Sequence, residues 1–244
     1  MSIFLRRVYS VPEHVDPNVF PWTLPVFAAG LDVEFRTPVT FLVGENGSGK
    51  STLLEAIADK ADFHLAGGNK NHRGRYEHHA TESAMSTALR AQWRNKVYEG
   101  FFLRAESFYN FATYFDDSGS HRMNGGLHAR SHGEAFLALF NDYFEQGLFI
   151  LDEPEAALSP MRQLTLLTRM YELAASGEGQ FIVATHSPIL MAYPGAEIFS
   201  FDGGALHKVA YEDTEHYRVS RDFLNAPERF LRHLMPEKPP RRRG

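Results

Sequence analysis

The sequence has 244 residues, 43% of them hydrophobic, and no cysteine. That length supports one large α/β domain with a full core, and the missing cysteines exclude a disulfide framework and thiolate metal sites. The net charge of −5 gives no global attraction to nucleic acid or acidic membrane. No stretch approaches the roughly 18 apolar residues of a membrane span. Residues 1–7 place Arg6 and Arg7 behind a short apolar run, the reverse of a secretory leader, so a cytoplasmic location is expected.

Residues 3–9 and 31–35 alternate as half-exposed strands do, separated by a segment punctuated by Pro12, Pro17, Pro21 and Pro25. Trp22 in that segment reads either as a packed anchor or as a ring for a nucleotide base. Val39 to Val43 is an apolar strand that breaks into Gly44-Glu-Asn46-Gly47-Ser48-Gly49-Lys50-Ser51-Thr52. The pattern G-x-x-x-x-G-K-S is a phosphate-binding loop, in which glycines let successive backbone N–H groups turn toward phosphate oxygens. Lys50 supplies a positive charge for the β/γ-phosphates, and Ser51 a hydroxyl for Mg²⁺. Leu53, Leu54, Ile57, Ala58 and Ala61 repeat at helical spacing, so a helix from Ser51 to about Ala61 buries one stripe.

Residues 66–82 are rich in glycine and histidine and read as an exposed loop. Residues 83–96 are compatible with a helix, and 101–103 with a strand ending in polar residues. Glu106 or Ser107 stands where it could reach a metal, while Arg104 and Glu106 could equally form a buried ion pair. Ser131 and Glu134 have capping-box spacing at the start of a helix that buries Phe136, Leu139, Phe140, Tyr143 and Phe144. The same geometry, with Gly133, also suits an anion.

Leu148 to Leu151 is a short apolar strand of the kind buried on both faces, and it ends in Asp152-Glu153-Pro154. Adjacent carboxylates in such a place need work or partners. Asp152 suits Mg²⁺, and Glu153 is placed to polarise an attacking water. Ser159-Pro160 starts a helix through Leu164, Leu167, Met170 and Tyr171 to Gly177. Phe181 to Thr185 returns as a strand ending in His186-Ser187-Pro188, and strand ends are where ligand groups gather in a doubly wound sheet. Residues 197–201 and 205–209 read as a hairpin. A helix from about Pro227 is expected to bury Phe230, Leu231 and Leu234, and residues 236–244 to form a disordered basic tail.

In their order along the chain these motifs resemble the ATP-binding-cassette ATPases, in particular the SMC-like and repair-type branch and its compact, stand-alone members without coiled-coil arms. Residues 44–52 are similar to Walker A, and 148–153 to Walker B with its catalytic glutamate. Arg130-Ser-His-Gly-Glu134 is similar to the signature L-S-G-G-Q/E, Glu155 to Ser159 to the D-loop, and His186 to the switch histidine. His132 stands at a signature glycine, Ser159 at the D-loop aspartate, and Glu106 or Ser107 at the usual glutamine. The resemblance implies an α/β P-loop NTPase fold with a mostly parallel central sheet, an antiparallel β lobe and a small helical signature lobe at about 63–146. Residues 1–235 would form one domain. It also implies Mg²⁺-dependent ATP hydrolysis with Glu153 and His186 as catalytic residues, and nucleotide contacts from Asn46 to Thr52. The metal would be held by Ser51, Asp152 and Glu106. Two copies would close on ATP, with Ser131, Gly133 and Glu134 reaching the partner's nucleotide. The implied role is a switch on a macromolecular partner, with DNA as one candidate; the alternative is the motor subunit of a membrane transporter.

Overall fold

The computed structural model describes residues 3–63, 84–95, 99–104 and 145–235. Its elements are β1 (Leu5–Ser10), β2 (Asp32–Glu34), β3 (Val39–Val43), α1 (Lys50–Lys60), α2 (Ala84–Ala88), β4 (Leu89–Trp93), β5 (Gly100–Arg104) and β6 (Gly147–Asp152). They continue with α3 (Pro160–Ser176), β7 (Gly179–Ala184), α4 (Pro188–Met191), β8 (Glu197–Ser200), β9 (His207–Lys208), α5 (Glu215–Asn225) and α6 (Pro227–Leu234).

Six strands form the central sheet in the order β5-β6-β7-β3-β8-β9. All its pairings are parallel except β8 with β9. A separate antiparallel sheet runs β2-β1-β4. The helical lobe expected at about 63–146, the polar loop at 66–82 and the tail at 236–244 lie mostly or wholly outside the described residues.

Alternate side chains of the central strands face opposite layers, as the two-residue strand period requires. Phe41, Val43, Phe149, Leu151, Phe181 and Val183 pack on one side against Leu166, Met170, Leu173 and Ala174 of α3. Leu42, Leu148, Ile150, Ile182 and Ala184 pack on the other against Leu53, Leu54, Ile57 and Ala58 of α1 and Leu5, Val8 and Val33 of the small sheet. A glutamine joins the two sheets. Gln180 is fully buried, accepts from the backbone N–H of Phe4 and of Leu5 at 2.8 Å each, and donates to the Leu5 carbonyl at 2.9 Å. These bonds satisfy the end of β1 where water is excluded.

Two expectations need correction. Within the stretch read as one helix, Ala84–Ala88 forms a short helix and Leu89–Trp93 a strand. Buried Leu89 and half-buried Ala91 alternate with exposed Arg90 and Gln92, and β4 takes the open edge of β1, so pairing overrides helix propensity. Finally, α6 buries none of its residues: Leu231 and Leu234 are exposed, and Phe230 packs edge-on against Phe223 of α5 with ring centroids 5.7 Å apart. Periodicity reports an apolar face, not what covers it. Trp22, by contrast, is buried against Phe27, which is the packing reading of that residue.

Candidate functional site

The parallel register gathers the carboxyl ends of β3, β6, β7 and β8. Asp152 is opposite both Arg104 and Ala184, the Thr185 N–H donates to the Leu42 carbonyl at 3.2 Å, and the Phe201 N–H to the Val43 carbonyl at 2.8 Å. Ligand groups converge at such an edge.

The loop after β3 turns on glycines in the left-handed half of conformational space. Gly49 (φ 107°) is the N-cap of α1 and offers no side-chain cap, so the helix's first N–H groups are left for a ligand. A Cβ at Gly49 would lie 2.6 Å from the Phe27 ring, whereas one at Gly47 (φ 78°) would meet nothing within 4 Å. Lys50 is buried, and its Nζ donates to the carbonyls of Gly44 at 2.6 Å and Glu45 at 2.8 Å. Burial pulls its pKa down, opposed by the charges of Glu153, Asp152 and Asp202. Asp202 anchors the loop's entry, accepting from the Glu45 N–H at 3.1 Å.

Asp152 closes β6 as a buried carboxyl. The Ser51 hydroxyl donates to its Oδ1 at 3.1 Å. The Arg104 Nε lies 3.6 Å from its Oδ2, while the Arg104 Nη1 pairs with Glu55 at 2.5 Å. Burial pushes the Asp152 pKa up to about 6, with the Ser51 hydrogen bond and Arg104 opposing. Among the described residues, then, Arg104 bridges two acids.

Glu153 adopts φ 50°, ψ 50°, a left-handed conformation that costs a non-glycine residue about 1 kcal/mol or more. The turn carries its side chain out of the core, 43% exposed and with Oε1 3.4 Å from the His186 Nε2. The Glu153 N–H donates to the Ala184 carbonyl at 2.9 Å. Two residues on, Glu155 accepts from the His186 N–H at 2.6 Å, and burial raises its pKa against that bond. Across the ring, His186 Nδ1 and His216 Nε2 are 2.8 Å apart.

The structure thus brings together Lys50, Ser51, Asp152, Glu153 and His186. Ser131, Gly133, Glu134 and Glu106 lie outside the described residues, as does the proposed pairing of Arg104 with Glu106. Sequence reasoning passed over Glu55, Asp202 and His216, and named Glu155 only as the start of the D-loop resemblance. Of these, Glu155 alone carried a local signal, as a carboxylate beside the acidic strand end.

Ser51 and Asp152 offer hard oxygen donors side by side, which fits Mg²⁺. Among the described residues no group of three or more His, Asp or Glu side chains gathers for a metal. A bound Mg²⁺ would therefore complete its shell with water and phosphate oxygens, the usual arrangement for this ion.

Two family models match the chain. One, described as an AAA domain, covers residues 24–100; the other, described as "AAA domain, putative AbiEii toxin, Type IV TA system", covers 128–192. No curated protein matches the sequence. Among solved structures, cbiO1 from Clostridium perfringens, part of the ABC transporter complex cbiONQ, is similar with a TM-score of 0.52 and 17% identity over 96% of this chain and 100% of that one. The SMC head domain from Thermotoga maritima is similar with a TM-score of 0.47 and 16% identity over 85% of this chain and 98% of that one. The two AAA-domain matches span the phosphate loop, the acidic strand end and His186, and the chain shares the α/β P-loop fold of the ABC-type ATPase cbiO1.

Proposed function

We propose that this chain hydrolyses Mg-ATP, that two copies close on the nucleotide, and that the closure acts as a switch on a macromolecular partner. The observation that carries the reading is the pairing of Ser51 with Asp152 beside an outward Glu153 that faces His186, all at one edge of the sheet.

In this mechanism the backbone of residues 46–52 holds the phosphates, and Lys50 moves its charge from the loop carbonyls to phosphate oxygens. Ser51 and Asp152 would hold Mg²⁺, which would supply neutralisation of phosphate charge. Glu153 orients a water and takes its proton as the water oxygen adds to the γ-phosphorus and the bond to the bridging oxygen breaks. ADP and phosphate leave. The outward turn at Glu153 suits this task, because a base has to reach the proton it removes. His186 steadies Glu153 and faces the γ-phosphate. Ser131, Gly133 and Glu134 reach the nucleotide of the second copy, and Glu106 is a further candidate for the metal.

Sedimentation of the Glu153→Gln protein with and without Mg-ATP tests the switch. Slowed hydrolysis predicts a dimer with Mg-ATP and a monomer without it; a monomer in both removes the closure from the account. Capture from native lysate by the same variant separates the clients. Nucleic acid or a soluble protein retained only with Mg-ATP supports the switch, and a retained membrane protein replaces it with the transporter motor.

A further inference from the structure

We infer that His216, on the first turn of α5, is a positioning residue that holds His186 in the tautomer with its proton on Nε2, aimed at Glu153. The inference rests on the hydrolytic reading above and adds a residue to it.

His216 reaches the site from the far end of the chain. Thr214 caps α5, its hydroxyl accepting from the Tyr217 N–H at 3.3 Å. The Tyr211 hydroxyl donates to the Pro188 carbonyl at 2.9 Å, and the rings of Tyr211 and Tyr217 lie 4.6 Å apart between centroids. The start of α5 is thereby fixed against the segment that follows His186, and the two imidazoles meet at 50° with centroids 4.9 Å apart.

One proton is shared along the 2.8 Å contact between His186 Nδ1 and His216 Nε2, and two arrangements are available to a neutral pair. If His186 donated, its Nε2 lone pair would face the Glu153 carboxylate at 3.4 Å. His216 would then carry its own proton on Nδ1, which is buried and has no hydrogen-bond partner among the described residues. Both consequences are unfavourable, the first by repulsion and the second by desolvating an N–H. If His216 donates, His186 carries its proton on Nε2, 3.4 Å from the Glu153 carboxylate; that nitrogen too is buried without a hydrogen bond among the described residues, but a proton and not a lone pair then faces the acid, and the buried His216 Nδ1 is a bare lone pair. The hydrogen bond at one ring nitrogen thus sets the state of the other. Burial first, and then the neighbouring His186, also lower the His216 pKa, which keeps that ring neutral and able to play this part.

The test compares His216→Leu, which keeps bulk but has no donor, with His216→Gln, whose amide can still donate. Leu is expected to lower kcat for ATP hydrolysis about tenfold with KM little changed, and Gln to recover most of that loss. In a His186→Ala background, His216→Leu is expected to add little further loss, because its effect runs through that ring. Equal damage from Leu and Gln, an undiminished rate in Leu, or a full additional loss without His186 would each overturn the inference. Nitrogen-15 NMR of the imidazoles gives a readout that needs no turnover: His186 is expected with its proton on Nε2 in the native protein and to lose that preference in His216→Leu. A proton on Nδ1 in the native protein refutes the assignment. If the native protein turns over no faster than Lys50→Ala, the hydrolytic reading fails, and the tautomer measurement still decides whether His216 sets the state of His186.

Discussion

Replacing Asp152 by Asn should make the protein more stable at alkaline pH while removing a metal ligand. The carboxyl has a pKa of about 6 in the folded chain against 3.8 as an isolated side chain, chiefly through burial. The folded state therefore binds this proton more tightly than the unfolded state. The stability associated with it is complete below about pH 4 and is lost as pH rises through 6. The whole effect is worth about 3 kcal/mol, of which about 1.4 kcal/mol falls between pH 5 and pH 8. Asn carries no such proton, yet its amide oxygen can still accept from Ser51, and Arg104 keeps Glu55. Urea denaturation of both proteins in chelator, without nucleotide, at pH 5 and pH 8 isolates the term. The variant is expected to gain about 1.4 kcal/mol on the native protein between the two pH values. Adding Mg²⁺ at pH 8 should stabilise the native protein and leave the variant unchanged. A stability difference that is the same at both pH values would refute the reasoning that burial holds this proton.

Other consequences are as direct. Gly49→Ala should cost about 2–4 kcal/mol in thermal or chemical denaturation, because strain at positive φ adds to collision with the Phe27 ring. Gly47→Ala carries the conformational cost alone, about 1 kcal/mol, so equal losses would contradict the packing around Gly49. Gln180→Leu strands two N–H groups and a carbonyl of residues 4 and 5. It should cost about 2–4 kcal/mol and increase hydrogen exchange at the start of β1; unchanged protection there would mean that the sheets are joined some other way.

What was legible in the sequence was contiguous. The loop at 44–52 announces itself because glycine, lysine and serine must follow a strand and open a helix within a few residues. Asp152 and Glu153 stand out as charges ending an apolar run, and that run, apolar at every position from Leu148 to Leu151, announces a strand buried on both faces. Relations between distant segments were not legible. His216 is an ordinary residue of an amphipathic helix until folding sets it beside His186, and only the sheet register places Arg104 opposite Asp152, 48 residues further along the chain. The alternation of Leu89 and Ala91 was present, but its helix-compatible composition concealed a strand that exists because β1 offers an edge. For α6, an apolar stripe predicted burial that the described residues do not provide.

The central claim is that this strand edge hydrolyses ATP, and phosphate release by the native protein, Glu153→Gln and Lys50→Ala in Mg-ATP tests it most directly. The account predicts measurable turnover in the native protein and a loss of about 10²-fold or more in Glu153→Gln, which keeps the shape of the base and removes its basicity. Lys50→Ala should fall to background with weakened nucleotide binding. Native turnover no higher than that of Lys50→Ala, or full turnover in Glu153→Gln, would contradict it.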